Sequence, residues 1–579
     1  MRGLLVLILA AALPATAQAA PPAEARFQAL LAGDSAAEKA DSGRTGEDER
    51  GIPPHLEDVT PAAQARRLAR LEASRATLDA IAAKDFGPDR QIDRALYRYR
   101  LDTAIAQLRF RDYEMPFNSD SSFWSGLGYL AGESFRTEQE YVHYIACLRD
   151  IPRFFADETA NMDAGLKRGF TPPRVTLAGR EKSLDAVADA KAPEATSLYA
   201  PFKTMPATIP AARQAELRGE AAAAIAAAIP AYARLRAYLH DTYIPGARTT
   251  LAAEALPDGK AYYRAQIAEY ATVDKSPDEI HAIGLAEVAR IRARMDAVIT
   301  ETGFKGDFPA FLHFLRTDPQ FYAKTPEDLL KDAAWIAKRV DGKVGQYIGH
   351  LPRKRFAIVP VPADIAPFYT AGRGGDGVYL VNTYDLPSRP LFQLPALTLH
   401  ESAPGHAMQI PLAEENEGQL PFRRHMYISA YGEGWALYCE TLGEEMGIYR
   451  TPYERFGMLS YQMWRAARLV VDTGIHAKGW TREQGQKFFH DNTALSDHEI
   501  ETEVDRYISW PGQALSYYLG EMAIQRGRAK AETALGAKFN IRAFHDMVLS
   551  LGSVTIPMLD AAVDRFIAEG GKGPYPKEE

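Results

Sequence analysis

Cysteine is nearly absent from this chain: Cys147 and Cys439 are the two in 579 residues. A fold of this length is therefore not held by a disulfide framework. The two thiols either pair or stay buried and separate. Long apolar runs are also missing beyond the N-terminus. No later stretch approaches the roughly 20 apolar residues of a membrane-spanning helix, so no stable membrane insertion is expected. Basic runs are lacking as well. The 67 Lys and Arg against 75 Asp and Glu give a net charge of −8, spread thinly, which argues against a nucleic-acid partner. No internal repeat period is visible, and strand-like segments are few.

The N-terminus is different. "MRGLLVLILAAALPATAQAA" has one arginine, an apolar run from Leu4 to Leu13, and Ala17-Gln18-Ala19. That is the layout of a secretory signal peptide over residues 1–19, cleaved after Ala19. The mature chain is then expected to be secreted or periplasmic. Residues 20–60, with the polar stretch 34–53 inside them, read as a flexible N-terminal segment.

From Pro61 onward apolar residues recur at intervals of three and four, as in amphipathic helices. Residues 61–260 read as an N-terminal helical region, in which Pro230 should kink an Ala-rich helix. "SPDEIHAIGLAEVARIRARMDAVITETG" carries Ser276 as N-cap and Gly303 as stop. "RFAIVPVP" (355–362) and "GVYLVNT" (377–383) read as short strands. The expected class is mainly α with one small β-sheet. Residues 261–579 hold every candidate for chemistry.

The central motif is "TLHESAPGHAMQ", residues 398–409. Metal-binding histidines on one helix sit four apart, because four steps of about 100° return to the same face. His400 and His406 are six apart, and about 240° points the second one away. Pro404 and Gly405 between them can end the helix and swing His406 back. The alternative is a helix end with a capping histidine. Downstream, "YISAYGEGWALYCETLGEEMG" places Glu433 in an apolar helical run, where a carboxylate is costly unless paired or bound to a cation. Two imidazoles and one carboxylate make an open zinc site, and zinc renders water nucleophilic near neutral pH. Glu401 adjoins a ligand without being one, the position of a general base.

Donors for a developing oxyanion are candidates in "EVDRYISWPGQALSYYLGEMA": Arg506, Tyr507, Tyr517 and Tyr518. In "DTGIHAKGW", Asp472 and His476 are four apart and share a helix face. They stand as a substitute ligand pair, an outer supporting pair, or an ordinary helix hydrogen bond.

In this order, "HESAPGH", "EGWALY", "VDTGIHAKGWT" and "EVDRYISWPGQALSYYLG" resemble a bacterial family, domain of unknown function 885. "LPDGKAYYRAQIAEYAT" and "SPDEIHAIGLAEVARI" fit it too, so the resemblance covers nearly the whole mature chain as one unit. The family is grouped with gluzincin-like metallopeptidases. The resemblance implies a zincin-like helical fold with the small sheet beside the active-site helix. It implies one Zn2+ on His400, His406 and Glu433, with Glu401 as base, and Tyr517 and Arg506 at substrate or oxyanion. "GVYLVNT" would then be an edge strand receiving an extended peptide, with Tyr379 and Asn382 as substrate-binding residues; the alternative is an internal strand of the small sheet. The family's motif is longer than the standard gluzincin one, so the ligand role of His406 rests on the Pro-Gly break.

The expected function is an exported zinc peptidase acting on short peptides. A metal-dependent esterase or amidase is the alternative enzyme, and manganese or cobalt the alternative ion. A non-catalytic helical binding protein with a degenerate site is the alternative outside enzymes.

Overall fold

A computed structural model describes residues 22–42, 51–119, 121–363, 366–375 and 377–575. The expected signal peptide, residues 1–19, lies outside the described residues, as do 20–21 and 43–50 of the expected flexible segment. The fold is mainly helical with one three-stranded sheet.

The first helix, α1 (Ala23–Ser42), occupies part of the segment read as flexible. Its buried residues are Phe27 and Asp34. Phe27 packs with Leu78, Ile81, Phe86, Tyr97 and Leu101. Asp34 accepts hydrogen bonds from Ser74 and Tyr97. The helix is held by two tertiary anchors instead of an apolar stripe, so periodicity could not reveal it.

A second core lies between α2 (Glu138–Arg168) and α3 (Ala211–Tyr238), and includes Ile145, Leu148, Ile151, Ile225 and Leu235. Helix α3 continues through Pro230 and ends eight residues later. This core ends at Ala247, and the largest core takes over at Ala253. Leu96 and Phe170 from the N-terminal region also enter the largest core, so the two regions share packing.

The largest core is built on α4 (Pro277–Thr302). Its start follows from the sequence: Ser276 and Glu279 form a reciprocal capping box, worth about 1 kcal/mol, and Gly303 ends it at φ 72°. Beyond it lies the sheet, with β1 (Ala357–Pro360), β2 (Gly372–Gly375) and β3 (Val378–Val381). The order is β1-β3-β2. Strand β3 pairs parallel with β1, Ala357 opposite Val378, and antiparallel with β2, Gly374 opposite Tyr379.

After the sheet come α5 (Leu394–Glu401), α6 (His406–Glu414), α7 (Ser429–Glu445), α8 (Pro452–Lys478), α9 (Asp497–Ser509), α10 (Ser516–Leu535) and α11 (Ile541–Ser550). Most of α8 is buried. It lies so close to α4 that a Cβ on Gly284 would come within 2.8 Å of Leu469 and Val470. Helices α7 and α10 approach even more closely: a Cβ on Gly520 would meet the Ala430 carbonyl at 1.8 Å.

Candidate metal centre

Helix α5 delivers His400 and Glu401 in its last turn and stops. The chain turns through Ser402-Ala403-Pro404-Gly405, and α6 begins at His406. The Gly405 N–H returns to the Leu399 carbonyl at 3.1 Å. A Cβ on Gly405 would sit 1.9 Å from the His400 carbonyl, so only glycine fits this fold-back. Trp435 of α7 holds the turn by donating to the Pro404 carbonyl at 2.8 Å. The result is that the two imidazoles face each other, ring centroids 5.0 Å apart and nearly perpendicular at 84°. The six-residue spacing is thus converted into a facing pair.

Helix α7 crosses behind them and presents Glu433. Its Oε2 lies 3.5 Å from His400 Nε2 and 3.4 Å from His406 Nε2. Donor atoms of these three residues all fall within 4.8 Å of one another, and among the described residues no other group meets that test. Three such ligands leave a position open for water or substrate.

Two residues that sequence reading missed complete the shell. Glu440 accepts from His400 Nδ1 at 2.8 Å, so that in a neutral ring Nε2, the nitrogen facing Glu433, would carry the lone pair for an ion. Glu440 lies seven residues after Glu433, two turns along the same face of α7, and that spacing was the available signal. Tyr427 donates its hydroxyl to Glu433 Oε1 at 2.9 Å. It precedes α7, and no pattern in the sequence marks it.

The charge balance fits a cation. Burial would lower the pKa of His400, but Glu401, then Glu433 and Glu440, push it up to about 10. Glu433 is held well below the usual carboxylate range; burial works against this, and the two imidazoles overcome it. Three carboxylates therefore surround two imidazoles in a nearly dry pocket, an excess of negative charge that a divalent ion would neutralise. The donor set of two nitrogens and one carboxylate suits zinc.

Glu401 is not part of the ligand group. Its carboxylate accepts the backbone N–H of Gly374 on β2. A Cβ at Gly374 would lie 1.8 Å from the Glu401 carbonyl, so the glycines of "GRGG" let the strand lie directly against α5. This glycine-rich segment is itself an edge strand of the sheet. "GVYLVNT", expected at the edge, is the central strand, because its hydrogen bonds are taken on both sides.

That corrects the substrate-binding assignment as well. Tyr379 is fully buried, and its hydroxyl lies 3.4 Å from Thr398 Oγ1. Asn382 is fully buried too. Its amide donates to the carbonyls of Ala366, Tyr369 and Thr370, and its oxygen accepts from Tyr384 N–H. Neither side chain has a face left for a peptide.

His476 and Asp472 are not ligands either. His476 Nε2 donates to the Tyr507 carbonyl at 2.9 Å, and Nδ1 accepts Ala253 N–H at 3.1 Å. Both nitrogens are committed, and burial pushes the pKa down to about 3. Asp472 accepts from Tyr263 at 2.5 Å and from Gly512 N–H at 3.1 Å, and burial raises it to about 7. They bind other elements to α8 and are not hydrogen-bonded to each other.

Among the four donor candidates the structure separates Tyr517. Tyr518 is engaged with Glu287 and Arg290. The Tyr507 hydroxyl receives Trp464 and Arg468 and donates to Glu503. Tyr517 receives only Arg506 Nη2, at 3.3 Å. Tyr427, the donor to Glu433, is 51% exposed as a residue. Loss of solvent at its hydroxyl raises the pKa well above the usual phenol range, and Glu433, Tyr517 and Glu401 add to this.

The family model described as bacterial protein of unknown function (DUF885) matches residues 42–563. The chain belongs to this family. A crystal structure of a protein described as a putative lipoprotein from Colwellia psychrerythraea is similar at 27% identity and TM-score 0.83. The match covers 94% of this chain and 99% of that one. A second such protein, of unknown function, from Shewanella oneidensis shares the fold at 19% identity and TM-score 0.67, with the same coverage. No curated protein matches the chain. Cys147 and Cys439 are both buried and are not joined in a disulfide. No helix among the described residues is long and apolar enough to cross a membrane.

Proposed function

We propose that the chain is an exported zinc-dependent peptidase acting on short peptides, built on a zincin-like site. The observation that carries this is the convergence of His400 Nε2, His406 Nε2 and Glu433 Oε2 beside an uncoordinated Glu401. His400, His406 and Glu433 would hold the ion. Zinc, when bound, supplies a water acidified toward neutral pH and a positive contact for a polarised carbonyl.

The remaining chemistry belongs to the chain. Glu401 takes a proton at its carboxylate and passes it to the leaving amine. The Gly374 N–H orients that carboxylate. Glu440 fixes the His400 ring, and Tyr427 fixes the Glu433 carboxylate. Tyr517, which accepts from Arg506 at its hydroxyl, would donate to an oxyanion. Burial of His400, Glu401 and His406 to 3, 8 and 6% exposure keeps bulk water sparse around the reacting groups.

The test joins two measurements. Elemental analysis of chain purified without chelator should find near one zinc per chain. A panel of short peptides should be cleaved by that protein and not by Glu401→Gln at equal zinc content. A chain that takes up no metal after zinc is added would end the proposal, and so would cleavage that survives Glu401→Gln.

A further inference from the structure

Beside Tyr517, three guanidiniums crowd one carboxylate. Arg465 and Arg468 come from α8, Arg506 and Glu503 from α9. Burial alone would raise the pKa of Glu503, but Arg468, Arg506 and Arg465 together hold it below the usual range. Arg468 donates to Glu503 at 2.9 Å and to the Tyr507 hydroxyl at 2.8 Å. Arg506 lies 3.5 Å from Glu503.

Of the neighbouring carboxylates, Glu499 faces Arg389 at 3.8 Å and accepts from Ser496, and Glu440 bonds His400 through Oε1. At Glu503 itself three guanidiniums meet one carboxylate.

The cluster also has idle donors. Arg465 is 5% exposed and Arg468 2%. Arg465 Nε and Nη1 and Arg468 Nη1 are buried without a hydrogen-bond partner. Arg465 stacks on Trp464 at 3.8 Å, which orients the guanidinium but satisfies none of its N–H groups. A buried excess of charge with unmet donors is expensive unless something fills it. The planar fork of arginine matches a carboxylate with two parallel hydrogen bonds. Arg468 lies 4.1 Å over the Tyr517 ring, so the cluster borders the group placed to touch substrate.

We propose that Arg465 and Arg468, with Arg506, form an anion subsite that receives a carboxylate of the substrate peptide. The carboxylate is either the C-terminal one or that of an acidic side chain. The substrate's identity as a peptide rests on the function proposed above; the anion subsite does not.

The experiment uses the full mature chain carrying Glu401→Gln, so that probes are bound and not cut. Calorimetry compares N-acetyl-Ala-Ala, its C-terminal amide, and N-acetyl-Ala-Glu-amide. At least one carboxylate probe should bind about 10- to 100-fold tighter than the neutral amide, the range for charge-assisted hydrogen bonds. Preference for the free acid assigns the C-terminus; preference for the Glu probe assigns a side chain. Arg465→Gln and Arg468→Lys should each bring the ratio toward one. Equal binding of all three probes, or binding of none, overturns the subsite without recourse to any variant. A preserved acid preference in a protein that cleaves no peptide would keep the subsite and remove the peptidase reading. Equal cleavage of peptides with a free C-terminus, an amidated C-terminus and an acidic side chain by the chain with Glu401 intact would do the reverse.

Discussion

Glu440 Oε1 sits 2.8 Å from His400 Nδ1, while the other nitrogen of the same ring turns toward Glu433. One imidazole is therefore gripped from both ends by carboxylates two turns apart on α7.

Glu440→Gln keeps the shape and removes the charge that orients His400. Metal should still bind, with an affinity lower by about 10- to 100-fold. Competition against a chromogenic zinc chelator measures this. An unchanged affinity would show that Glu440 does not support the ligand.

His406→Ala removes the late histidine that the Gly405 fold-back returns to the site. Zinc per chain should fall from near one to far below it after dialysis against zinc-free buffer. Retention of a full equivalent would move the third ligand elsewhere.

Glu401→Gln should leave zinc content intact and lower kcat by about 10²- to 10⁴-fold, the usual contribution of a general base. Steady-state kinetics on a cleaved peptide, with metal content measured on the same sample, separates this from loss of the ion.

Gly520→Ala puts a methyl group where the Ala430 carbonyl already stands. Overpacking of this kind costs about 1–3 kcal/mol. Urea unfolding should show a lower midpoint.

His545 on α11 is buried, accepts from Tyr438 at Nε2 and faces the Tyr347 carbonyl at Nδ1, each at 2.8 Å. Burial pushes its pKa down to about 3. In the unfolded chain it titrates near 6.5. Between pH 6.5 and 3 the unfolded state therefore binds a proton that the folded state refuses, so this residue erodes stability as pH falls and has no effect above that window. Relative to His545→Gln, the parent should lose up to about 1.4 kcal/mol per pH unit across it. Urea titrations at pH 4, 5, 6 and 7 give the difference directly, and a constant offset would refute the assignment.

The convergence of His400, His406 and Glu433, with Glu401 beside His400, was readable because spacing and helical setting constrain these residues. Ser276 and Gly303 were readable because caps act locally. What failed depended on tertiary partners. Helix α1 is fixed by Phe27 and Asp34 against distant residues. Tyr379 and Asn382 sit in a strand whose edge or centre position is decided by β2, whose glycines look like a loop. His476 looked like a ligand four residues from an aspartate until Ala253 and Tyr507 were seen to occupy both its nitrogens. Tyr427 and the arginines beside Tyr517 matter through contacts that no local pattern records.

The near contact of α7 and α10 at Gly434 and Gly520 has a bearing on timing. A Cβ on Gly434 would lie 2.5 Å from the Gly520 backbone. One helix carries Glu433 and Glu440, the other Tyr517, and with backbones this close neither slides without the other. The spacing between Glu433 and Tyr517 is thus set when the polypeptide folds. Amide protons in the middle of both helices should exchange slowly in metal-free protein, and adding zinc should slow them little further.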